Sequence, residues 1–185
     1  IPPNGCKASK SPVWHQMTWE LLSVPMPVSH QYEAQQLELQ LRKMAIVASQ
    51  QSGTWRLNER KYVSDTYERL LVGQGEQNVS WQLRVSIVPG RDSVYLSKTY
   101  EIRWELVSRV QGIALYQSEQ KITINQPQLV SATSRPLETA VLAQIQAVVQ
   151  VMSQGMERVL SCRVPQFEVL KVRQDSVRIA GGSGS

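Results

Sequence analysis

The chain has 185 residues, of which 42% are hydrophobic, and its formal net charge is +5 at pH 7. A chain of this length buries roughly 70% of the surface that its unfolded form exposes, so a wholly disordered protein is excluded. No segment approaches the ~20 consecutive apolar residues of a membrane-spanning helix, so no transmembrane segment is expected. Because the chain starts at Ile1 rather than Met, we expect a processed or excised piece.

The basic residues are scattered along the chain, and their longest runs are the pairs Arg42-Lys43 and Arg60-Lys61. Proteins that bind nucleic acids usually collect basic residues on one face. No nucleic-acid partner is therefore expected. The alternative, a nucleic-acid-binding domain, requires binding that weakens steeply with salt.

The first predicted element is a strand from Trp14 to Val24, because its apolar residues alternate with polar ones. The segment Pro25–Pro27 is expected to end this strand, since proline cannot donate to a ladder. A helix is predicted from about Ser29 to Gln50, with Ser29 as N-cap and Gly53 as its end. Two further elements are predicted, a short strand at Thr54–Leu57 and a helix at about Val63–Leu71.

The middle of the chain predicts three strands. Apolar and polar residues alternate strictly over Val79–Ile87, and the even positions of Val94–Leu106 are apolar except Lys98, as in a long edge strand. The turn Arg109–Gly112 leads into a third alternating run. These runs predict an antiparallel meander that is solvated on one face. The outward residues of mixed charge are Glu101, Arg103, Glu105, Glu119 and Lys121.

A long helix is predicted from about Pro136 to Ser161, with Ser134 as its cap and the proline in its first turn. Its apolar residues recur every three or four positions, which indicates a core-facing stripe. The predicted fold class is therefore α+β, with a mixed or antiparallel sheet and helices packed on one face. The stripe consists of Leu137, Val141, Ile145, Val148, Met152, Met156 and Val159.

The pattern changes at Pro165, where a tight hairpin follows. An isolated hairpin is marginally stable, so it is expected to begin a second, truncated β domain or to pack on a neighbour. We predict one domain over residues 1–164 and the start of another over residues 165–185.

No pattern of catalytic, cofactor-binding or metal-ligating residues stands out, so the chain is predicted not to be an enzyme and to hold no cofactor or metal. A zinc site needs three or four close ligands, whereas His15 and His30 lie in separate contexts. Gly73 and Gly75 lack the rest of a phosphate loop. The carboxylates of the outward face are expected to be solvated. The tryptophans could stack on single-stranded nucleic acid, but most are expected in the core.

Cys6 and Cys162 are the two cysteines of the chain. An even pair fits a disulfide in an oxidising compartment, and it also fits two unrelated buried thiols. We favour the disulfide, because Cys6 lies in a polar segment where a buried thiol is unusual. The bridge would close nearly the whole domain and contribute at most roughly 5 kcal/mol.

The order of the elements resembles the domain found at the front of TolB and in several bacterial envelope lipoproteins. The likeness is strongest over Tyr100–Glu119, where an amphipathic strand, a turn with glycine and a returning strand with an aromatic residue follow one another.

A second resemblance, best over residues 94–184, is to the flagellar assembly protein T family. It rests on the long helix, Cys162, Pro165 and a hairpin that ends in the glycine-rich segment Ile179–Gly184. The resemblance implies a structural subunit of a periplasmic ring around the bacterial flagellar basal body. The implied partners are other ring proteins and copies of the same chain. A different envelope lipoprotein of this fold, acting as a peptidoglycan-synthase activator or a secretion-channel component, is the alternative.

Overall fold

The computed structural model describes residues 14–58, 79–91, 97–125, 137–163, 169–173 and 176–179. Seven strands and two helices lie in these ranges. The strands are β1 (His15–Leu21), β2 (Trp55–Asn58), β3 (Trp81–Pro89), β4 (Ser97–Ser108), β5 (Ala114–Asn125), β6 (Val169–Arg173) and β7 (Ser176–Ile179). The helices are α1 (Val28–Gln51) and α2 (Thr139–Leu160).

Five strands form one mixed sheet in the order β2-β1-β3-β4-β5. β1 runs parallel to both β2 and β3, whereas β3, β4 and β5 form an antiparallel meander. β6 and β7 pair as a separate antiparallel hairpin. The α+β fold class and the meander are therefore confirmed.

Both helices cover the same face of the sheet. The register places Leu83 opposite Leu106 and Val85 opposite Trp104, all of them buried beneath the helices. Burial alternates with a period of two along β3, as expected for a strand with one solvated face. α2 adds a buried stripe of Val141, Ile145, Val148, Val149, Met152, Gly155, Met156 and Leu160.

The predicted cap of the first helix is wrong. α1 begins at Val28 with Pro27 as N-cap, and no side chain caps it. Ser29 lies inside the first turn, where its hydroxyl contacts the Nδ1 of His30 instead. The fixed φ of proline is compatible with this position, and its carbonyl oxygen accepts the N–H of His30 at 2.9 Å.

The other boundary errors are small. The first strand ends at Leu21 instead of Val24. The second described helix begins at Thr139 with Glu138 as N-cap, three residues after the predicted start, and Pro136 lies outside the described residues. The predicted helix at Val63–Leu71 and the cap Ser134 lie outside the described residues.

Lys98 does not mark an edge strand, because β4 lies between β3 and β5. The edge of the meander is β5. Lys98 interrupts the apolar alternation for a different reason: its side chain is only 14% exposed and reaches a carboxylate of α1. This contact belongs to a polar cluster between α1 and β4.

Candidate functional site

A cluster of polar side chains joins the start of α1 to β4. The Nζ of Lys98 donates to Oε1 of Glu33 at 3.0 Å and to the carbonyl oxygen of Ser29 at 3.0 Å. The hydroxyl of Tyr100 donates to the other carboxylate oxygen, Oε2 of Glu33, at 2.6 Å. Both oxygens of one carboxylate are thus bonded to β4.

The chemistry of this cluster favours anchoring over proton transfer. Tyr100 is completely buried, and burial, reinforced by its bond to Glu33 and by that charge, raises the pKa of Tyr100 far above its ordinary value. Its hydroxyl therefore remains a donor at physiological pH. A neutral donor and an ammonium group facing one carboxylate make a satisfied, charge-assisted network.

His15 forms a second anchor at the opposite end of the sheet. It is 3% exposed, and the indole Nε1 of Trp81 donates to its Nδ1 at 3.1 Å. Its Nε2 lies 3.1 Å from the carbonyl oxygen of Arg163. Because an indole only donates and a carbonyl only accepts, the ring is neutral with its proton on Nε2. This bond ties the chain after α2 to β1.

Burial lowers the pKa of His15, and the charge of Arg163 acts in the same direction. The carbonyl oxygens of Arg163 and Leu160 oppose the shift but do not cancel it. A protonated ring would also direct an N–H at the indole N–H of Trp81. The site therefore holds a neutral histidine.

The other face of the sheet carries the predicted ladder of mixed charges. Arg103 of β4 donates to Glu101 at 3.0 Å and to Glu119 of β5 at 2.9 Å. Gln117 donates to Glu105 at 2.8 Å. Glu119 and Glu105 thus have partners on the neighbouring strand, Glu101 has one on its own strand, and the carboxylates of this face are partly solvated, as the alternating pattern predicted. Ion pairs of this kind contribute little to stability.

Gln144 of α2 covers one position on the edge of the sheet. Its amide accepts from the backbone N–H of Thr123 and donates to the carbonyl oxygen of the same residue, each at 2.9 Å. The side chain thereby replaces a neighbouring strand at that position. In an edge strand, the backbone N–H and C=O groups of every second residue point away from the neighbouring strand. Gln117 and Glu119 are in the same phase as Thr123, so their backbone groups also point away from β4, and both side chains are exposed.

The tryptophans serve mainly the core. Trp55, Trp81 and Trp104 are at most 7% exposed, which confirms the expectation for most of the five. Trp19 packs edge-to-face on Trp104 and donates to Glu38 of α1 at 3.0 Å. Trp14 lies under the guanidinium of Arg56.

Cys162 lies just after α2, on the surface. Cys6 is outside the described residues, so the Cys6–Cys162 disulfide stays a prediction. Gly73, Gly75 and the glycine-rich end also lie outside them. Among the residues that the structure describes, no three acidic, histidine or cysteine side chains come together as a metal site. Neither of the two described helices has the combination of length and hydropathy that a membrane span requires.

The sequence pattern missed both polar anchors. The contact of Glu33 with Tyr100 joins residues on different elements, and no local spacing encodes it. One signal was present: a lysine at position 98 on an otherwise apolar face requires a buried partner.

No family model matches the chain, and no curated protein matches it. Solved structures do resemble its fold. A PelC dodecamer from Paraburkholderia phytofirmans is 7% identical, with 81% of this chain and 90% of that chain covered and a TM-score of 0.44. TolB from Acinetobacter baumannii is 8% identical, with 80% and 28% covered and a TM-score of 0.41.

A lipoprotein from Neisseria meningitidis is 13% identical, with 75% of this chain and 98% of that chain covered and a TM-score of 0.44. Each of these is a likeness of fold. TolB, whose front domain the sequence resembles, is thus among the similar structures. The finer resemblance to the flagellar assembly protein T family stays a prediction.

Proposed function

We propose that this chain is a non-enzymatic assembly module of the bacterial cell envelope, located in the periplasm, which works through its outer surfaces. The observation that carries the proposal is the use of its buried polar groups. Glu33 and Tyr100 fasten α1 to the sheet, and His15 fastens the end of α2 to β1. The bonds of these groups lie within the fold, which supports a structural role for them.

Within the part of the chain that the structure describes, the charged face of the sheet and the edge of β5 are open to protein partners. An edge strand with outward backbone groups can add a strand from another chain. Gln144 already bonds the backbone groups of Thr123, so a partner strand cannot pair with β5 at that residue. The backbone around Glu119 remains for pairing with a partner strand.

Within this class we propose a ring subunit of the bacterial flagellar basal body, with other ring proteins and copies of the same chain as partners. The support is the sequence resemblance over residues 94–184. The hairpin of β6 and β7 lies in that stretch.

Deletion of the parent gene in the source bacterium tests the finer proposal. We expect loss of a basal-body ring in electron tomograms of whole cells, together with loss of swimming. Intact rings and normal swimming would remove the flagellar assignment. Cell fractionation tests the broader proposal separately, since recovery of the parent protein from the cytoplasm would contradict an envelope module.

A further inference from the structure

One end of the domain combines exposed apolar side chains with exposed arginines. The turn between β4 and β5 carries Val110, which is 71% exposed, and Ile113, which is 50% exposed. Arg109 in the same turn is exposed, as are Arg158 and Arg163 at the end of α2.

Contacts within the domain bring the β4–β5 turn and the end of α2 to the same end of the sheet. The ring of Tyr116, near the start of β5, lies very close to Gly155 of α2. A Cβ added to this glycine would be 2.2 Å from the nearest ring atom of Tyr116. Arg158 follows Gly155 by less than one helical turn. His15, at the start of β1, holds the carbonyl of Arg163 at this end.

The turn presents its apolar side chains on an ordered backbone. Ser108 donates its N–H to the carbonyl oxygen of Ile113 at 3.0 Å and accepts the N–H of Gly112 at 2.7 Å. Its hydroxyl accepts the N–H of Gln111 at 3.2 Å. Gly112 has a φ of 66°, a conformation that favours glycine. The backbone bonds thus close the turn, while Val110 and Ile113 remain in water.

The positive charge at this end is not neutralised within the described residues. None of the ion pairs among the described residues involves Arg109, Arg158 or Arg163. The carboxylate next to Arg158, that of Glu157, instead accepts the hydroxyl of Ser52 at 2.8 Å.

We propose that this end docks onto a membrane surface with anionic lipid headgroups. The docking surface, here called the basic tip, consists of Val110, Ile113, Arg109, Arg158 and Arg163. The two aliphatic side chains would enter the boundary between headgroups and acyl chains, and the guanidinium groups would bind phosphates. A bilayer fits better than a nucleic acid, because aliphatic side chains gain little from a phosphate backbone. The proposal does not depend on the proposed function.

Co-sedimentation of the full chain with lipid vesicles tests the proposal. Vesicles in which one third of the lipid is phosphatidylglycerol should bind the chain, and added salt should weaken this binding. Vesicles made of phosphatidylcholine alone should bind the chain more weakly than the anionic vesicles. The double variant Val110→Ser/Ile113→Ser should lower the partition coefficient about tenfold. Arg109→Ala should lower it about fivefold, the effect expected for one basic residue near an anionic surface.

Two matched controls lie at the opposite end of the domain. Val28, at the start of α1, is 80% exposed, and Arg91 is exposed in the turn after β3. Val28→Ser and Arg91→Ala should leave the partition coefficient unchanged, and thermal unfolding checks that every variant is folded. Equal losses in these controls would overturn the proposal. So would no binding to anionic vesicles, including the case in which the chain binds soluble nucleic acid instead.

Discussion

Tyr100 contributes to the fold through its buried ring and through its hydroxyl group. It is buried under the helices and donates to Glu33, whose second oxygen accepts Lys98. Removal of the Tyr100 hydroxyl leaves one carboxylate oxygen of Glu33 without its hydrogen-bond donor in a partly buried site. The cost of that loss exceeds the average worth of a hydrogen bond.

Tyr100→Phe should lower the free energy of unfolding by about 2 kcal/mol, the range for a hydrogen bond to a charged group. Urea unfolding measures this change. Tyr32→Phe, at a residue that is 39% exposed on α1, is the matched control and should alter stability by less than about 0.5 kcal/mol. Equal effects of the two substitutions would show that the cluster is not an anchor.

His15 makes stability depend on pH in a defined direction. Because the pKa of His15 is lowered in the fold, the unfolded chain takes up a proton first as pH falls. Stability should therefore decrease as pH falls through the ordinary histidine pKa of 6.5 towards the lower pKa that His15 has in the folded chain.

His15→Gln should flatten this part of the stability profile, since glutamine can accept from Trp81 and donate to the carbonyl of Arg163 without titrating. Urea unfolding at a series of pH values measures it. His30→Gln, at a half-buried histidine on α1, is the control and should keep the pH dependence of the parent. An unchanged profile in His15→Gln would contradict the role assigned to His15.

At the scale of elements, one glycine decides how closely α2 approaches the sheet. The ring of Tyr116 occupies the space where a Cβ of Gly155 would lie, 2.2 Å from the nearest ring atom. A helix with a side chain at this position would have to displace that ring. Close packing of α2 on β5 therefore depends on the missing side chain.

Gly155→Ala should destabilise the fold by up to about 2 kcal/mol, because overpacking against the ring costs about 1–3 kcal/mol and the better helix propensity of alanine offsets ~1 kcal/mol of this cost. Thermal unfolding measures the change. Gly53→Ala is the control, because a Cβ there meets nothing within 4 Å. In a Tyr116→Ala background the sign should reverse. A stabilising Gly155→Ala in the parent chain would show that the ring does not restrict the helix.

Most elements could be predicted from the sequence, because burial on one face imposes a period on the chain. The alternation over Val79–Ile87 predicted β3 within two residues at each end. Element ends were less predictable, since Ser29 and Pro27 both suit a helix start and only the surrounding packing decides between them. The contact of Gln144 with the backbone of Thr123 has no sequence signature, because it depends on where α2 lies.

At the scale of the whole molecule, the predicted Cys6–Cys162 disulfide would join the two ends of the domain. Intact-mass measurement after alkylation, with and without reductant, tests it. We expect the unreduced chain to gain no alkyl groups and the reduced chain to gain two. Two alkyl groups on the unreduced chain would contradict the disulfide.

The molecule divides its polar residues between two tasks. Those under the helices, such as Glu33 and His15, hold the layers together. Those on the open face and along β5 meet solvent and are available to partners. Function on this account resides in the surface, and the buried polar groups matter only through stability.

Photocrosslinking in living cells that produce the protein tests this division most directly. A photoreactive amino acid replaces Glu119 on the edge of β5, and Lys43, exposed on α1, is replaced in a control strain. The account predicts discrete protein adducts from position 119 and none from position 43. No adduct from position 119, or the same adducts from both positions, would contradict it.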